Sequence, residues 1–531
     1  MKRVFVPVFI LFFLLSVKAD CYSGFIPKMR LSHSNSKECL YNPLIHINSE
    51  DRVAIDYLET VYGEPKDSFT ILPRGFYDTV KYSNDPYRIK PFLNGVETSN
   101  YWQIISSAGV EYYYSNRAAN FIPGSSGKIF QHPSTFVMSQ SGNMVLLNSL
   151  ALYWELREYN YFDNSSNWES FSVDFNRVYA KLKLWKISAM FGKDALHLGP
   201  GEHGMILSAN AAPYWMMKFQ NEETIRLWGS WNFVIMKGWL KDEREDISNP
   251  EIFAMRMTYR PQGSFDFFEL GMTRTMMYSG DGMYHYKIVD YPVLISGAKD
   301  NLPRGKFDAD SYGGIDFTFN IPFYKLVPEL KVFKLYFEES GTDIKAIWQV
   351  EDLGDFTIPY ILFKFYERAY LTGIFIGLEN DAMRLEYTKT AFSFYKHHLY
   401  PHEGYSYRGM SLGHPLGNNH QALKFNHTHW FENGLSFKWE IGYYQLPGIN
   451  RNDKDKSFSA LFPMFSLDEG LIRRGYFSLW AGWVVKGHIL RGYFSLDGGP
   501  KSDSDPRPSK ITVSDKATVD ITLGFSFLLK F

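Results

Sequence analysis

Several features that define common protein classes are scarce in this chain. Positive charge shows no excess, since 56 Lys and Arg residues are balanced by 57 Asp and Glu, and this excludes a basic nucleic-acid binder. Apolar runs are short: after residues 1–19 no segment reaches the roughly 18 apolar residues of a membrane helix, and the mean hydropathy of −0.25 excludes a polytopic helical membrane protein. Cysteine is rare, because Cys21 and Cys39 are the only two.

Residues 1–19 have the pattern of a secretory signal peptide. Lys2 and Arg3 precede a short apolar run, and small residues around Ala19 form a cleavage site. The chain is therefore predicted to be exported, with residues 1–19 removed. In an oxidising compartment Cys21 and Cys39 are a candidate disulfide that closes a short loop, and two free thiols are the alternative.

Aromatic residues are abundant, at 18% of the chain, which excludes a disordered protein. The C-terminal segment then shows how the apolar residues are arranged. Every odd position from Val519 to Phe531 is apolar, whereas the even positions are mostly small or polar. Because successive side chains of a strand point to opposite faces, this segment is predicted to be a strand with one apolar face. Its aromatic end resembles the C-terminal signature of bacterial outer-membrane barrels.

The same two-residue period recurs earlier in the chain, with polar or charged side chains on the second face. The segments are 231–239, 253–260, 315–321, 383–387 and 437–441. In a soluble sandwich the apolar face would point into a core and the charged face into water. In a membrane barrel the apolar face meets lipid and the charged face lines the lumen.

Three observations favour the membrane barrel over a soluble β protein. The chain carries an export signal, aromatic residues such as Trp231 and Trp239 lie at strand ends, and the alternating segments continue without a linker. The prediction is an all-β, transmembrane outer-membrane β-barrel of antiparallel strands over residues 101–531. At about 20–25 residues per strand and its connection, the length predicts roughly 16–20 strands, and an even number is expected.

Residues 20–100 have a different pattern. Ser49 can cap a helix, and apolar residues at helical spacing follow between Val53 and Val61. A small helical region is therefore predicted, either on the periplasmic side or as a plug in the lumen. An irregular N-terminal strap is the alternative.

Two segments of the barrel region carry unusual composition. Residues 199–213 read GPGEHGMILSANAAP, in which glycines permit tight turns, but no phosphate-binding fingerprint is present. In the second segment, 394–420, histidines are concentrated with Tyr, Arg and Asn. The histidine spacing is loose and no carboxylate pattern completes it, so no metal site and no cofactor are predicted. No nucleophile elbow is present either, so no enzyme is predicted.

Together these two segments resemble the Wzi-type capsule assembly family of outer-membrane proteins. The family's Gly-Pro-Gly stretch and Leu-Ser-Asn-Asn-Ala-x-Pro-like run correspond to 199–213, and its Tyr-Arg-Gly-x-x-x-Gly-His pattern corresponds to 407–414. The resemblance implies an 18-stranded barrel with a small periplasmic helical region. It also implies a non-catalytic, lectin-like protein that binds capsular or related exported polysaccharide and helps to attach or assemble it at the cell surface.

Candidate residues follow from those motifs. The expected ligand-binding residues are Asn210, Tyr407, Arg408 and His414. The expected structural residues are Gly199, Pro200, Gly201, Gly204, Pro213, Gly409 and Gly413. A Gly201→Val substitution is expected to damage assembly, because a required turn conformation would be lost.

A porin-like channel for hydrophilic solutes is the alternative function, because the second face of the strands is charged. The expected location is the outer membrane, and the expected partners are the polysaccharide, outer-membrane lipid and the barrel-assembly machinery. No nucleic-acid partner is expected, and the protein is predicted to be a monomer.

Overall fold

The structure is a computed structural model that describes residues 102–530 apart from short gaps, of which the longest are 116–133, 297–307 and 448–470. The predicted signal peptide (1–19), the predicted helical region (20–100) and Asn210 lie outside the described residues, as do Cys21 and Cys39.

Strands dominate the described residues. One sheet contains nineteen strands, one of which is the two-residue segment Ile225–Arg226, so eighteen longer strands remain. They are β1 (Trp102–Ser115), β2 (Ser134–Leu146), β3 (Leu150–Phe162), β4 (Trp168–Leu184), β5 (Ile187–Asp194), β6 (Tyr214–Asn221), β7 (Ser230–Trp239), β8 (Glu251–Arg260), β9 (Phe268–Tyr278), β10 (Asp310–Asn320), β11 (Val332–Leu353), β12 (Phe356–Gly377), β13 (Asp381–Thr390), β14 (Gln421–Trp430), β15 (Leu435–Pro447), β16 (Leu471–Val485), β17 (His488–Ser504) and β18 (Ile511–Lys530).

Helical structure in the described part is confined to short pieces. They are two 3₁₀ turns, Gly263–Phe265 and Ile288–Asp290, and the helix α1, Tyr291–Ser296. Among the described residues, no helix has the length and apolarity that crossing a membrane would require. A further two-residue hairpin pairs Ser406–Tyr407 with Met410–Ser411.

The sheet closes on itself. Each strand pairs antiparallel with its sequence neighbour, and β1 pairs with β18 from Ser107↔Lys530 to Ser115↔Thr522. A closed sheet has no unpaired edge, so its backbone groups are satisfied without water. The prediction of an antiparallel barrel is confirmed, and eighteen strands agree with the number that the resemblance implied.

Side chains alternate between the two surfaces of the barrel. In β6, Trp215, Met217 and Phe219 face outward and are exposed, whereas Lys218 and Gln220 are buried inside. The segments predicted from alternation follow the same rule. Their inward, buried side chains are Asn232, Arg256, Asp316, Arg384, Glu386, Lys438 and Glu440. An exposed apolar band around a closed sheet is stable in lipid, so the wall has the pattern of an outer-membrane barrel.

The connections define which end of the barrel faces the cell exterior. The ends of β4 and β12, each two or three residues before the next strand, lie at one end, and the ends of β5 and β13, which precede the long connections 195–213 and 391–420, lie at the other. An even number of strands places the start of β1 and the end of β18 at the short-turn end. Outer-membrane barrels have short periplasmic turns and long extracellular loops, so the long loops face outward from the cell.

Candidate functional site

Two of the long loops fold into the lumen and meet there. Loop A (residues 195–213) connects β5 to β6, and loop B (residues 391–420) connects β13 to β14. The backbone N–H of Ser208 donates to the carbonyl of Leu412 at 2.7 Å, and the Ser208 hydroxyl donates to the Gly413 carbonyl at 2.6 Å. The two sequence motifs, about 200 residues apart, therefore form one body. We call loops A and B together the luminal plug.

A tyrosine cluster anchors the plug to the barrel wall. The Tyr395 hydroxyl donates to the backbone carbonyl of Met205 and accepts the backbone N–H of His414. Its ring stacks on Tyr405 with centroids 5.9 Å apart, and Tyr405 in turn lies 4.7 Å from the ring of Tyr312 on β10. All three tyrosines are fully buried, so the upper lumen is packed with apolar surface that stabilises the folded loops.

Beneath these rings lies a buried charge network that we call the Glu202 cluster: Glu202, Glu386, Lys424, Asn426 and Lys438. The Glu202 carboxylate contacts Lys424 Nζ at 2.7 Å and Lys438 Nζ at 3.4 Å, and it accepts a hydrogen bond from Asn426 at 2.9 Å. The Glu202 backbone N–H donates to Glu386 Oε1 at 2.8 Å. The wall strands β13, β14 and β15 thus hold loop A by one side chain and one backbone group.

Electrostatics keep Glu202 ionised. Burial by itself would raise the pKa of Glu202, but the ammonium groups of Lys424 and Lys438 hold that pKa well below its usual range. A buried carboxylate with two cationic partners is stable only while both sides of the pairing are present. The same charges that suggested a water-filled channel are consequently used to fix the plug.

Glycines allow loop A to lie this close to the wall. A Cβ on Gly204 would fall 2.1 Å from the Leu198 carbonyl oxygen and 2.3 Å from that of Leu207, because these residues form a narrow bridge.

A Cβ on Gly201 would fall 2.4 Å from Leu371 Cδ1 and 3.0 Å from Glu386 Oε1. Gly201 is absent from the described glycines with positive φ, so close packing rather than a turn conformation requires it. The prediction that Gly201→Val would act through a lost turn conformation is therefore wrong in its reason, because the structure gives a steric clash instead.

We expect Gly201→Val to reduce the yield of folded barrel severalfold, since the larger side chain clashes with the wall of the lumen. Heat-modifiable migration on a gel measures the folded fraction after refolding in detergent. Gly492→Val is the matched control, because a Cβ there has no atom within 4 Å. Equal folded fractions for the two variants would contradict the packing argument.

Three histidines stack within the plug. The rings of His203 and His414 meet edge to face at 5.7 Å, and those of His414 and His420 stack at 4.3 Å. His420 Nδ1 lies 2.6 Å from the Gly417 carbonyl, and its Nε2 lies 3.2 Å from the Thr388 hydroxyl. Burial lowers the pKa of His420 to about 4, and burial together with His420 lowers the pKa of His414 well below its usual range. Both rings are therefore neutral at physiological pH.

Acid is expected to loosen loop B. An unfolded histidine titrates near pH 6.5, whereas His420 in the closed plug titrates near pH 4. Between these values the open state binds more protons than the closed one. Closure of loop B therefore becomes less favourable as the pH drops from about 6.5 to about 4. At pH 5 the loss is about 2 kcal/mol for this one group.

Hydrogen exchange of loop B at pH 7.5 and pH 5, corrected for intrinsic rates, measures this effect. His420→Asn should reduce the pH dependence, and His402→Asn, at an exposed position of the same loop, should leave it unchanged. Identical protection of loop B at both pH values would contradict the prediction.

The outer surface of loop B is small and sharply defined. Four of its residues are exposed: His398, Pro401, His402 and Arg408. Arg408 has a left-handed backbone, with φ 49°, and its N–H donates to Asp242 at 2.7 Å. Its guanidinium lies 5.4 Å from the centre of the buried Tyr407 ring and 3.7 Å from Asp174.

A third loop holds this tip in place. Loop C (residues 240–250) connects β7 to β8, and Arg244 donates from two guanidinium nitrogens to the carbonyls of Ser406 and Gly404, each at 2.7 Å. Asp246 accepts two backbone N–H groups of loop B at 2.9 and 2.7 Å. Arg408 is thus presented on a rigid support, since a guanidinium and a carboxylate fix the backbone on which it lies.

The predicted ligand-binding residues that the structure describes do not all lie at the same surface. Arg408 reaches the outer surface with a half-exposed side chain, and Tyr407 lies buried below it against Tyr214, with ring centroids 5.9 Å apart. His414 lies inside the plug, and its place in a ligand site stays a prediction. Asn210 lies outside the described residues. The other motif residues, Gly199, Pro200, Gly204, Pro213, Gly409 and Gly413, lie within loops A and B.

Sequence reasoning missed Glu202 and all of loop C. Glu202 is the lone acidic residue in the motif of loop A, and that isolation was a usable signal. Loop C carries the run of six charged residues at 241–246, which would ordinarily be assigned to a solvated surface. The contacts of Arg244 with loop B join residues about 160 apart, so no local pattern could have indicated them.

The comparisons with known proteins agree with this architecture. The family model of the capsule assembly protein Wzi matches residues 94–488, nearly three quarters of the chain. The chain belongs to this family. No curated protein matches it.

Among solved structures, the Wzi-family barrel described here is similar to Escherichia coli Wzi, an outer-membrane protein involved in group 1 capsule assembly and described as a carbohydrate-binding β-barrel. The TM-score is 0.53 and the identity 17%, over 79% of this chain and 83% of that one. Pseudomonas aeruginosa OccD3 is similar with a TM-score of 0.45 and 9% identity, over 81% of this chain and 91% of that one. The predicted family, the barrel fold and the outer-membrane location are confirmed.

Proposed function

We propose that this Wzi-family barrel binds capsular or related exported polysaccharide at its outer surface and helps to attach or assemble it there, without making or breaking a covalent bond. Family membership supports this role, as does the description of Escherichia coli Wzi as a carbohydrate-binding β-barrel. The observation that carries the proposal is the exposed, rigidly held tip of loop B with Arg408 at its centre.

The chemistry of that tip suits a glycan. Arg408 offers several N–H donors to sugar hydroxyls or carboxylates, and the nearby carboxylates of Asp174 and Asp242 can accept hydrogen bonds from hydroxyls. A non-glycine residue in the left-handed region costs free energy, and such strain persists where the surrounding structure imposes it, often at ligand sites. Holding the donor in place before binding reduces the entropy lost on association.

Two measurements test the function. A strain that lacks this protein should retain less polysaccharide at its surface than the parent strain and release more into the medium. The purified barrel should bind polysaccharide isolated from the same cells in a titration. Unchanged surface polysaccharide together with no binding by the barrel would overturn the proposal.

A porin-like channel remains the second candidate, motivated by the charged inner face of the strands. The luminal plug argues against it, because nearly every side chain of loop A is buried where a solute would have to pass. A conductance in planar bilayers as large as that of an open barrel would favour the channel.

The remaining expectations accompany the binding proposal. Outer-membrane lipid would cover the exposed apolar band, the barrel-assembly machinery would insert the chain, and the barrel would act as a monomer. We propose no catalytic residue and no nucleic-acid partner.

A further inference from the structure

Asp308, His397 and His398 form a cluster that the proposed glycan binding does not use. Asp308 lies just before β10, and the two histidines lie on loop B. His398 Nε2 is 2.7 Å from Asp308 Oδ2, and His397 Nε2 is 3.9 Å from Asp308 Oδ1. One ligand atom from each of the three residues lies within 4.8 Å of the other two.

Two atoms of this cluster lack hydrogen-bond partners. His397 Nε2 and Asp308 Oδ1 are both buried, and neither forms a hydrogen bond. They face each other at 3.9 Å, which is too long for a hydrogen bond. Buried polar atoms normally have hydrogen-bond partners, so two such unpaired atoms beside a third ligand atom point to a site that can bind a ligand.

The donor set has a clear chemical preference. Two imidazole nitrogens and one carboxylate oxygen suit a divalent transition-metal ion such as Zn²⁺, whereas Mg²⁺ and Ca²⁺ prefer oxygen ligands. Zn²⁺ holds such ligands at about 2.0–2.2 Å, so ligand atoms around it lie roughly 3–3.5 Å apart. To reach that geometry, the His398 Nε2–Asp308 Oδ2 separation must widen from 2.7 Å, and the longest separation, which is at most 4.8 Å, must shorten by up to about 1.3 Å. The exposed side of His398 leaves room for water at the fourth position.

The proton on His397 must also be accounted for. His397 Nδ1 accepts the backbone N–H of Leu399 at 3.3 Å, a long hydrogen bond. A metal on Nε2 requires the ring proton to lie on Nδ1, which would break this contact. Metal on His398 Nε2 likewise requires the proton of that ring to lie on Nδ1, which ends the His398–Asp308 hydrogen bond. Three metal–ligand bonds replace these two hydrogen bonds.

We propose that Asp308, His397 and His398 bind one divalent transition-metal ion, with Zn²⁺ as its representative. The ion would tie the extracellular segment that precedes β10 to loop B. Such a link adds to the hydrogen bond by which the Tyr400 hydroxyl of loop B already contacts the Ser279 carbonyl at 3.2 Å. The site binds metal independently of any polysaccharide, so it stands apart from the proposed function.

Calorimetric titration of the chelator-treated, detergent-purified barrel with Zn²⁺ tests the site. The expected result is one saturable ion per chain, with no comparable binding of Mg²⁺. Asp308→Asn, His397→Gln and His398→Ala should each weaken Zn²⁺ binding by tenfold or more. Co²⁺ in place of Zn²⁺ should give visible absorption bands of a low-coordinate site, and these should disappear in the same variants.

Controls separate this cluster from incidental histidine binding. His402→Ala removes an exposed histidine of the same loop that is not part of the cluster, and it should bind Zn²⁺ like the parent chain. His398, with 59% of its side chain exposed, is the ligand whose removal is least able to disturb folding. Undiminished Zn²⁺ binding by a folded His398→Ala and Asp308→Asn double variant would overturn the proposal. So would the absence of saturable binding by the parent chain.

Discussion

Replacing Glu202 by glutamine is expected to open the lumen. The substitution removes the carboxylate that pairs with Lys424 and Lys438 and leaves two buried ammonium groups with fewer anionic partners. Breaking a buried ion pair by removing one partner costs about 3–5 kcal/mol. That energy is large enough to release loop A, and with it loop B, from the barrel wall.

Single-channel recording in planar bilayers measures the outcome. The parent barrel should conduct little, and Glu202→Gln should show larger or more frequent open events, with faster hydrogen exchange in loop B. Glu243→Gln, at an exposed acidic position of loop C, is the matched control and should behave like the parent.

A second variant tests the mechanism of this opening. Glu202→Gln combined with Lys424→Met removes the unpaired charge as well, and it should restore much of the closure. If Glu202→Gln neither conducts nor exchanges faster than the parent, the Glu202 cluster is not what holds the plug.

Arg408→Ala is expected to weaken polysaccharide binding by about ten- to a hundredfold. Hydrogen bonds to a charged group contribute about 1.5–3 kcal/mol, and each 1.4 kcal/mol is a factor of about ten in affinity. Folding should be unaffected, because the side chain is half-exposed and its ion-pair partner Asp174 is retained by Lys193 at 2.5 Å. Heat-modifiable migration on a gel checks this.

Two further variants sharpen the experiment. Arg408→Lys keeps the charge but loses the planar fork, so intermediate binding would indicate directional hydrogen bonds rather than net charge. Lys241→Ala removes an exposed cation from loop C at the same end of the barrel and should bind normally. Full binding by Arg408→Ala would show that Arg408 does not bind the polysaccharide. It would also contradict the proposal that Arg408 is the centre of the binding surface at the tip of loop B.

Much of the barrel wall could be predicted from the sequence, because successive side chains of a strand face lipid and lumen in turn and their polarity alternates accordingly. Ile521, Leu523 and Phe525 lie outward where alternation placed them, and Arg384 and Glu386 lie inward. The interior could not be predicted in this way. Glu202 and Lys438 are 236 residues apart, and Asp308 and His398 are 90 apart, so neither pairing leaves a local pattern.

The same distinction explains the assignments that changed. Gly201 was predicted to be structural, and the side chains that a Cβ there would meet belong to β12 and β13, which only the closed barrel brings to it. His414 and Arg408 looked alike in the motif, yet one lies in the plug and the other at the surface. Residues six apart in an irregular loop carry no periodicity from which burial can be read.

Periodicity, taken with the export signal and the aromatic strand ends, determined from the sequence that this chain forms an antiparallel barrel with an apolar outer face and a charged inner face, because successive side chains of a strand point to opposite faces. Tertiary structure decided that the lumen is filled, which residue reaches the outer surface and where two histidines meet an aspartate. Those outcomes depend on how irregular loops fold back between distant strands, and the contacts that stabilise them exist only after the barrel has closed.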